Sequence, residues 1–286
     1  MSEIIDVIVD LIKDTLIDGV KLLPFLFITF LLMELIEHKF GDKLNKILAK
    51  VNKIGPLFGS LLGIIPQCGI SASASNFYIT RVISLGTLIS VYLSTSDEML
   101  PILISENAPI PMIVKLLAIK FVCGIIFGFV IDFLTRKRTK EDIKDFCELE
   151  DCDCDHGVIK SSIIHTLKTF IYILIISFIL NIIFEFFGEG FLEKVLMKNN
   201  PFGVIITSLI GLIPNCGVSI LLTELYLKDI ISVGKLLSGL LVNAGVGLLI
   251  LVRYNKNKKD TIKIIAILLS IGVLVGFIFD ILNISF

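Results

Sequence analysis

The chain has 286 residues, of which 55% are hydrophobic, with a formal net charge of −1 and a mean hydropathy of +0.92. Those values exclude an ordinary soluble domain and place it in the membrane class. The near-zero net charge hides a segregation of charged residues into loops, and the absence of Trp leaves interfacial anchoring to Tyr, Phe and Lys.

In chain order, residues 1–18 set Glu3, Asp6, Asp10, Lys13 and Asp14 opposite Ile4, Ile8, Leu11 and Leu16. This pattern predicts an amphipathic helix lying in the interface. The acidic start and the lack of a small-residue cleavage site do not read as a secretory signal. A first span is predicted from about Val20 to Ile36, closed by Glu34, Glu37 and His38. A basic surface helix then carries Lys43, Lys46, Lys50 and Lys53. From Ile54 the apolar run is interrupted at Pro66-Gln67-Cys68-Gly69, which predicts a re-entrant hairpin with arms Ile54–Ile65 and Gly69–Ile79. One complete span from Ile83 to Ile104 and another from Ile113 to Leu134 complete the first half, residues 19–134. A linker, residues 135–162, is followed by a second half, residues 163–286. There the expectation is a span at Ile163–Phe187, a hairpin at Pro201–Leu227, and spans at Ile230–Val252 and Thr261–Leu282.

The halves are a duplication. Gly63-Ile64-Ile65-Pro66-Gln67-Cys68-Gly69 returns as Gly211-Leu212-Ile213-Pro214-Asn215-Cys216-Gly217, 148 residues later, and the offset holds without a gap. It pairs Glu37 with Glu185, Ser84 with Ser232, and Gly124, Gly128 and Asp132 with Gly272, Gly276 and Asp280. Loop charges reverse between the halves. The stretches at Lys39–Lys53, Arg136–Lys140 and Arg253–Lys259 are basic, whereas Ser105–Pro109 carries no Lys or Arg. Under the positive-inside rule both termini lie outside and the linker is cytoplasmic. The predicted fold is therefore an all-α polytopic membrane protein of two inverted-topology repeats. Each has three spanning helices plus a broken or re-entrant hairpin, about ten helical segments in all.

Inverted repeats with broken helices are the architecture of secondary transporters, which hold cargo where the repeats meet. Pro66 and Pro214 have no N–H, so the carbonyls of Leu62 and Ile210 are expected to lose their helical partners and to suit a cation. The returning half-helices begin at the same place with a positive dipole end, which suits an anion. Intramembrane carboxylates are functional candidates by default, here Asp97, Glu98 and Glu224, the last aligned with Asn76. Thr95 and Asn243 correspond across the repeats and offer neutral oxygens. Gln67, Cys68, Asn215 and Cys216 occupy the two turns. Thiols favour softer metals, and carboxylate and amide oxygens a manganese-like ion. Ser71, Ser73, Ser75 and Ser219 read as ligands or as small residues for close helix approach. Asp132 and Asp280 read as solvated anchors at span ends, and His165 as an interfacial residue. In the linker, Cys147, Cys152, Cys154 and His156 lie among five carboxylates, a composition that fits metal gathering or a disordered connector.

With these features the chain resembles a bacterial family of ten-helix heavy-metal exporters, whose members are labelled arsenic efflux-like proteins or manganese transporters. The likeness covers about Val20 to Leu282 and is most specific at the two Pro-Gln/Asn-Cys-Gly turns. It implies export of a divalent heavy metal, manganese first, with no resident cofactor. Partners on this reading are the metal ion and the lipid bilayer of a bacterial or archaeal plasma membrane, with no nucleic acid. The alternative in the same class is an arsenical or oxyanion permease using Cys68 and Cys216. A membrane dithiol redox enzyme lacks a Cys-x-x-Cys motif, and a passive channel would show flux indifferent to a pH gradient. No Walker motif is present, so an enzyme that hydrolyses ATP is not expected.

Overall fold

The computed structural model describes residues 54–96, 99–135, 158–187 and 202–284, together with an interrupted helical stretch within 12–31. Most of the expected interfacial helix at 1–18, the basic helix at 39–53 and the linker thiols lie outside the described residues. Among the described residues there is no strand. The helices are α1 (Gly55–Gly63), α2 (Cys68–Ile79), α3 (Leu85–Ser94), α4 (Met99–Ser105), α5 (Ile110–Thr135), α6 (Val158–Phe187), α7 (Gly203–Gly211), α8 (Cys216–Leu227), α9 (Val233–Val242), α10 (Val246–Tyr254) and α11 (Lys258–Ile281). Four helical segments among the described residues are long and apolar enough to cross a membrane: α5, residues 162–179 of α6, α9 with α10, and α11.

The duplication in sequence is a duplication of elements. Helices α1 to α5 return as α7 to α11, each start displaced by 147 or 148 residues. The arms of the two hairpins are α1 with α2 and α7 with α8, nine and twelve residues each. At 1.5 Å per residue they reach roughly 14 and 18 Å, about half of a bilayer core of roughly 30 Å. The expected arms are thus present with shorter first members.

The expected complete spans at Ile83–Ile104 and Ile230–Val252 are instead broken. In the second half, Asn243 is extended and Gly245 has φ +52°, a conformation that glycine adopts without a steric penalty. The Asn243 Oδ1 accepts the Gly245 N–H at 3.0 Å, so the gap is bridged locally. In the first half, Thr95 leaves the helical conformation (ψ 125°), and the next described helix is α4, from Met99. Pro101 falls in the first turn of α4, where a missing N–H costs nothing. Apolarity had argued for continuity across these breaks. The local hydrogen-bonding chemistry of Thr95, Asn243 and Gly245 overrides it.

Packing follows a repeated scheme. Helix α3 lies between α1 and α5, and α9 between α7 and α11. The spacing that permits this is small-residue periodicity. Gly55, Gly59 and Gly63 of α1 face Thr87, Ser90 and Ser94 of α3, while Gly124 and Gly128 of α5 face Ser90 and Gly86. In the second half, Gly211 faces Gly239, and Gly272 and Gly276 face Ser238 and Gly234. The halves are also cross-linked. The returning arm α2 packs on α10, its counterpart α8 packs on α4, and α3 meets α9. One apolar cluster gathers around Leu88, Tyr92, Leu93 and Ile250. The other gathers around Leu222, Leu236 and Leu237 with Met99 and Leu116. The α9–α10 segment is consequently enclosed, with 94% of its most apolar stretch buried, against 22% for α5.

A Cβ on Gly124 would stand 2.9 Å from the Ser90 carbonyl oxygen, a backbone atom that cannot turn aside. Gly124→Val is expected to lower stability by about 1–3 kcal/mol through overpacking, read as a fall in the thermal midpoint of the detergent-solubilised protein. An unchanged midpoint would mean that α3 and α5 are not in backbone contact.

Candidate functional site

The hairpin turns are tighter than the sequence predicted. At Pro66 the Leu62 carbonyl is not orphaned, because the Ile65 N–H reaches it at 3.1 Å, and at Pro214 the Ile213 N–H reaches the Ile210 carbonyl at 3.0 Å. Each helix end closes with an i to i+3 bond of the 3₁₀ type, which recovers the acceptor that proline leaves unpaired. Helix then restarts at Cys68 and Cys216. Asn215 caps α8, its Oδ1 accepting the Gly217 N–H at 2.7 Å, whereas Gln67 makes no such side-chain cap to α2. Cys68 is a free, half-buried thiol. It packs against the same apolar cluster as Leu212 of the other turn.

The carboxylates expected beside the turns are distributed differently. Glu224 lies eight residues beyond Cys216 along α8, roughly 12 Å up the axis. Its side chain is 38% exposed and pairs with Lys228 at 3.4 Å, a geometry that directs it to a wet surface. Its counterpart Asn76 is 0% exposed, and neither its Nδ2 nor its Oδ1 has a partner within the protein. Asp97 and Glu98, in the gap between α3 and α4, lie outside the described residues, as do Cys147, Cys152, Cys154 and His156. Among the described residues no three His, Cys, Asp or Glu side chains come together to hold a metal ion. The nearby serines serve helix packing. Ser71 donates to the Cys68 carbonyl at 2.9 Å, Ser73 to the Gly69 carbonyl at 2.7 Å, and Ser75 to the Gly247 carbonyl at 2.7 Å while meeting Tyr92 Oη at 2.6 Å. The last pair ties α2 to α10 and α3.

Thr95 and Asn243, matched in the sequence as sources of neutral oxygen, mark the two breaks themselves. The Thr95 hydroxyl donates to the Val91 carbonyl at 2.7 Å, which leaves its own carbonyl pointing beyond the end of α3. That carbonyl accepts from Lys120 Nζ, and the same ammonium donates to the Leu240 carbonyl, in the last turn of α9, at 3.2 Å. Lys120 is 1% exposed. It is the eleventh of the 26 residues of α5, roughly 15 Å from the helix start, and so lies near mid-depth. This residue, absent from the sequence-derived set, links the broken helices of both halves at the point where each ends. Its signal in the sequence was a basic residue inside an apolar run, Ile119-Lys120-Phe121, aligned with Leu268 in the other half.

Other buried polar groups have structural partners. Asp132 is not a solvated anchor: it accepts from the Ser84 hydroxyl at 2.7 Å and the Gly86 N–H at 2.8 Å, fastening α5 to the start of α3. Asp280 does the same for α9 through Ser232. Charge-assisted bonds at a helix start satisfy donors that would otherwise face hydrocarbon. Lys235 is buried with its stem against Gly203. His165, expected at the interface, is 1% exposed and stacked on Phe30 with ring centroids 5.8 Å apart. Arg253 closes α10 by stacking over Tyr172 at 4.4 Å and donating to the Lys168 carbonyl at 3.1 Å.

Paired half-length hairpins, paired broken helices and polar groups at their ends define a polytopic helical membrane protein built like a transporter. The chain belongs to the family described as "Putative, 10TM heavy-metal exporter", whose model matches residues 3–189 and 179–285. No curated protein and no solved structure matches it.

Asp132→Ala removes both acceptor oxygens and leaves the Gly86 N–H without its side-chain acceptor, while the Ser84 hydroxyl keeps only its contacts with Thr87. The expected cost is about 1–3 kcal/mol, seen as a lower thermal midpoint with metal binding retained. Loss of binding at an unchanged midpoint would instead make Asp132 part of the cargo path.

Proposed function

We propose that the protein is a secondary-active exporter of a divalent heavy metal, manganese favoured, driven by proton antiport, with the ion held between the hairpin turns and the adjoining helix breaks. The observation that carries this reading is the coincidence of four interruptions in equivalent positions of the two halves. Two are at Pro66–Cys68 and Pro214–Cys216, and two are at Thr95 and Asn243. Irregular backbone at membrane depth persists only where it is buried in protein or lines a cavity, and paired interruptions are the mark of a cargo site between repeats. Family membership supports export of a heavy metal.

In this mechanism the two repeats lie inverted in the membrane and rock around the site. Backbone carbonyls at the breaks, the Asn76, Gln67, Asn215 and Asn243 amides, and the Thr95 hydroxyl supply oxygen, while Cys68 and Cys216 supply sulfur. Asp97 and Glu98, which follow Thr95 in the chain, neutralise the ion or exchange protons, and Glu224 serves at the mouth of its hairpin. The linker with Cys147, Cys152, Cys154 and His156 gathers metal on the cytoplasmic side. Both termini lie outside, in a bacterial or archaeal plasma membrane.

The second reading is an arsenical or oxyanion permease. Its support is the free, half-buried Cys68 thiol at the N-terminus of α2, where soft ligation and a positive dipole end coincide.

Uptake into inverted proteoliposomes under an imposed proton gradient tests both. Manganese is expected to accumulate, to stop when the gradient is collapsed, and to fall at least tenfold in Asp97→Asn. Arsenite uptake alone, lost in Cys68→Ser and Cys216→Ser but unaffected by Asp97→Asn, would replace the first reading by the second. Topology is checked separately with reporter fusions. Fusions at the C-terminus should be active only for an exported reporter and those in the 135–157 linker only for a cytoplasmic one, and the reverse pattern would turn the direction of transport around.

A further inference from the structure

Helix α11 touches both hairpin mouths. Near its start, Asp260 accepts from the hydroxyl of Tyr78, in the last turn of α2, at 2.7 Å. Near its end, Asp280 is bonded to Ser232, which follows α8 and caps α9. The two carboxylates lie twenty residues apart, roughly 30 Å along the axis and about the thickness of a bilayer core. The two hairpins therefore open at opposite faces of the membrane. The mouth at Tyr78 lies beside the turn between α10 and α11, which carries Lys256, Lys258 and Lys259 and is cytoplasmic under the positive-inside rule.

That turn is a fixed post. Tyr254, at the end of α10, is hydrogen-bonded to Thr169 of α6 at 2.7 Å, and Arg253 donates to the Lys168 carbonyl of the same helix. Asp260 is 8% exposed, and Asn255 Nδ2 donates at 3.3 Å to the oxygen that holds Tyr78. Deeper along α2, the Ser75 hydroxyl reaches the Gly247 carbonyl of α10. Arm α2 is thus bonded to the other half at two depths. The second hairpin is built differently. Across the repeat offset Tyr78 corresponds to Tyr226, Asp260 to Met112 and Ser75 to Thr223. Met112 has no carboxylate and packs in an apolar cluster, and the Thr223 hydroxyl donates within its own helix, to the Ser219 carbonyl at 2.6 Å. The bonds of the inner mouth are not repeated at these positions of the outer one.

We propose that Tyr78 and Asp260 form the latch of the cytoplasmic gate. Opening the inner mouth breaks a largely buried hydrogen bond to a carboxylate, one of the stronger kinds. Arm α2 then parts from α10 and α11, and cytoplasmic water runs along it to the turn at Cys68. The latch biases the protein toward the state closed on the inside, which in an exporter blocks the return of cargo while the outer mouth releases it. Tyr78 and Asp260 lie at neither the hairpin turns nor the helix breaks, so they are positioning residues that set which side is open. The inference rests on the alternating-access reading and its topology, not on the identity of the cargo.

The test is labelling of the full chain by a membrane-impermeant maleimide, in vesicles of both orientations and with a chelator present. Modification of Cys68 and Cys123 is read separately by peptide mass spectrometry. Cys123 is the internal reference, since it packs against the same apolar cluster and belongs to no hairpin. Tyr78→Phe, which removes only the hydroxyl, should label Cys68 about tenfold faster from the cytoplasmic face, with Cys123 unchanged. Asp260→Ala should match it, and the double variant should be no faster than either, because both act through one bond. Asp260→Asn, which keeps an acceptor oxygen, should fall between the wild type and Asp260→Ala. Equal Cys68 labelling in the wild type and Tyr78→Phe would overturn the latch and leave the exporter reading untouched. Acceleration of Cys123 in step with Cys68 would reduce the bond to a fold-stabilising contact, with the same consequence. Acceleration from the outer face alone would overturn the assignment of this gate to the cytoplasm. Labelling needs no cargo, so failure of manganese to accumulate in proteoliposomes would remove the metal reading and leave the gate to be decided by Cys68.

Discussion

A backbone carbonyl or N–H that reaches hydrocarbon without a partner costs several kcal/mol, and four interruptions of helix near mid-depth multiply that demand. The protein meets it in three ways. At the prolines, the chain tightens by one residue, so that the Ile65 and Ile213 N–H groups take up the carbonyls that proline would leave bare. At Asn215 and Asn243, side-chain amides cap the restart of helix. At Thr95 and Leu240, an ammonium from a neighbouring helix supplies the donor. The third solution differs in kind, because its donor carries a charge and belongs to neither of the broken helices.

This constraint explains the density of packing around the breaks. Close approach of α1, α3 and α5 is built on glycines and serines at helical spacing, and α7, α9 and α11 repeat the arrangement. Without a hydrophobic drive between helices in lipid, such contact supplies the cohesion. Asp132 and Asp280 set the register of that packing by holding the starts of α3 and α9 to the ends of α5 and α11. The crosswise seating of α2 on α10 and α8 on α4 then makes each hairpin depend on the broken helix of the other half.

The two halves are alike in backbone and unlike in chemistry. Asn76 is buried with an unpaired amide where Glu224 is half-exposed and paired with Lys228. In the aligned sequences Lys120 corresponds to Leu268, Thr87 to Lys235, and Thr95 to Asn243. A symmetric frame supplies two matching helix ends, and the asymmetric substitutions decide the polarity of the space between them.

The duplication, the membrane class, the hairpin turns and the correspondence of Thr95 with Asn243 were legible in the sequence, because each rests on periodicity, composition or an exact offset. The breaks after Ser94 and Val242 were not, since an apolar run of span length looks the same whether or not a short extended link interrupts it. Leu62 and Ile210 were misread because the loss of a proline N–H was counted without the neighbouring donor that replaces it. Asp132 and Asp280 were read as solvated because distance along the chain says nothing of the helix start that folds back onto them. Lys120 was passed over because a lysine in an apolar run acquires meaning only from what it touches. Its two acceptors, 25 residues before it and 120 after it, are brought together by tertiary packing alone. Sequence by itself determined where helices can form and which positions correspond. The tertiary structure decided which of their polar groups are satisfied and by whom, because a hydrogen bond between distant segments depends on their approach in space, which local pattern does not encode.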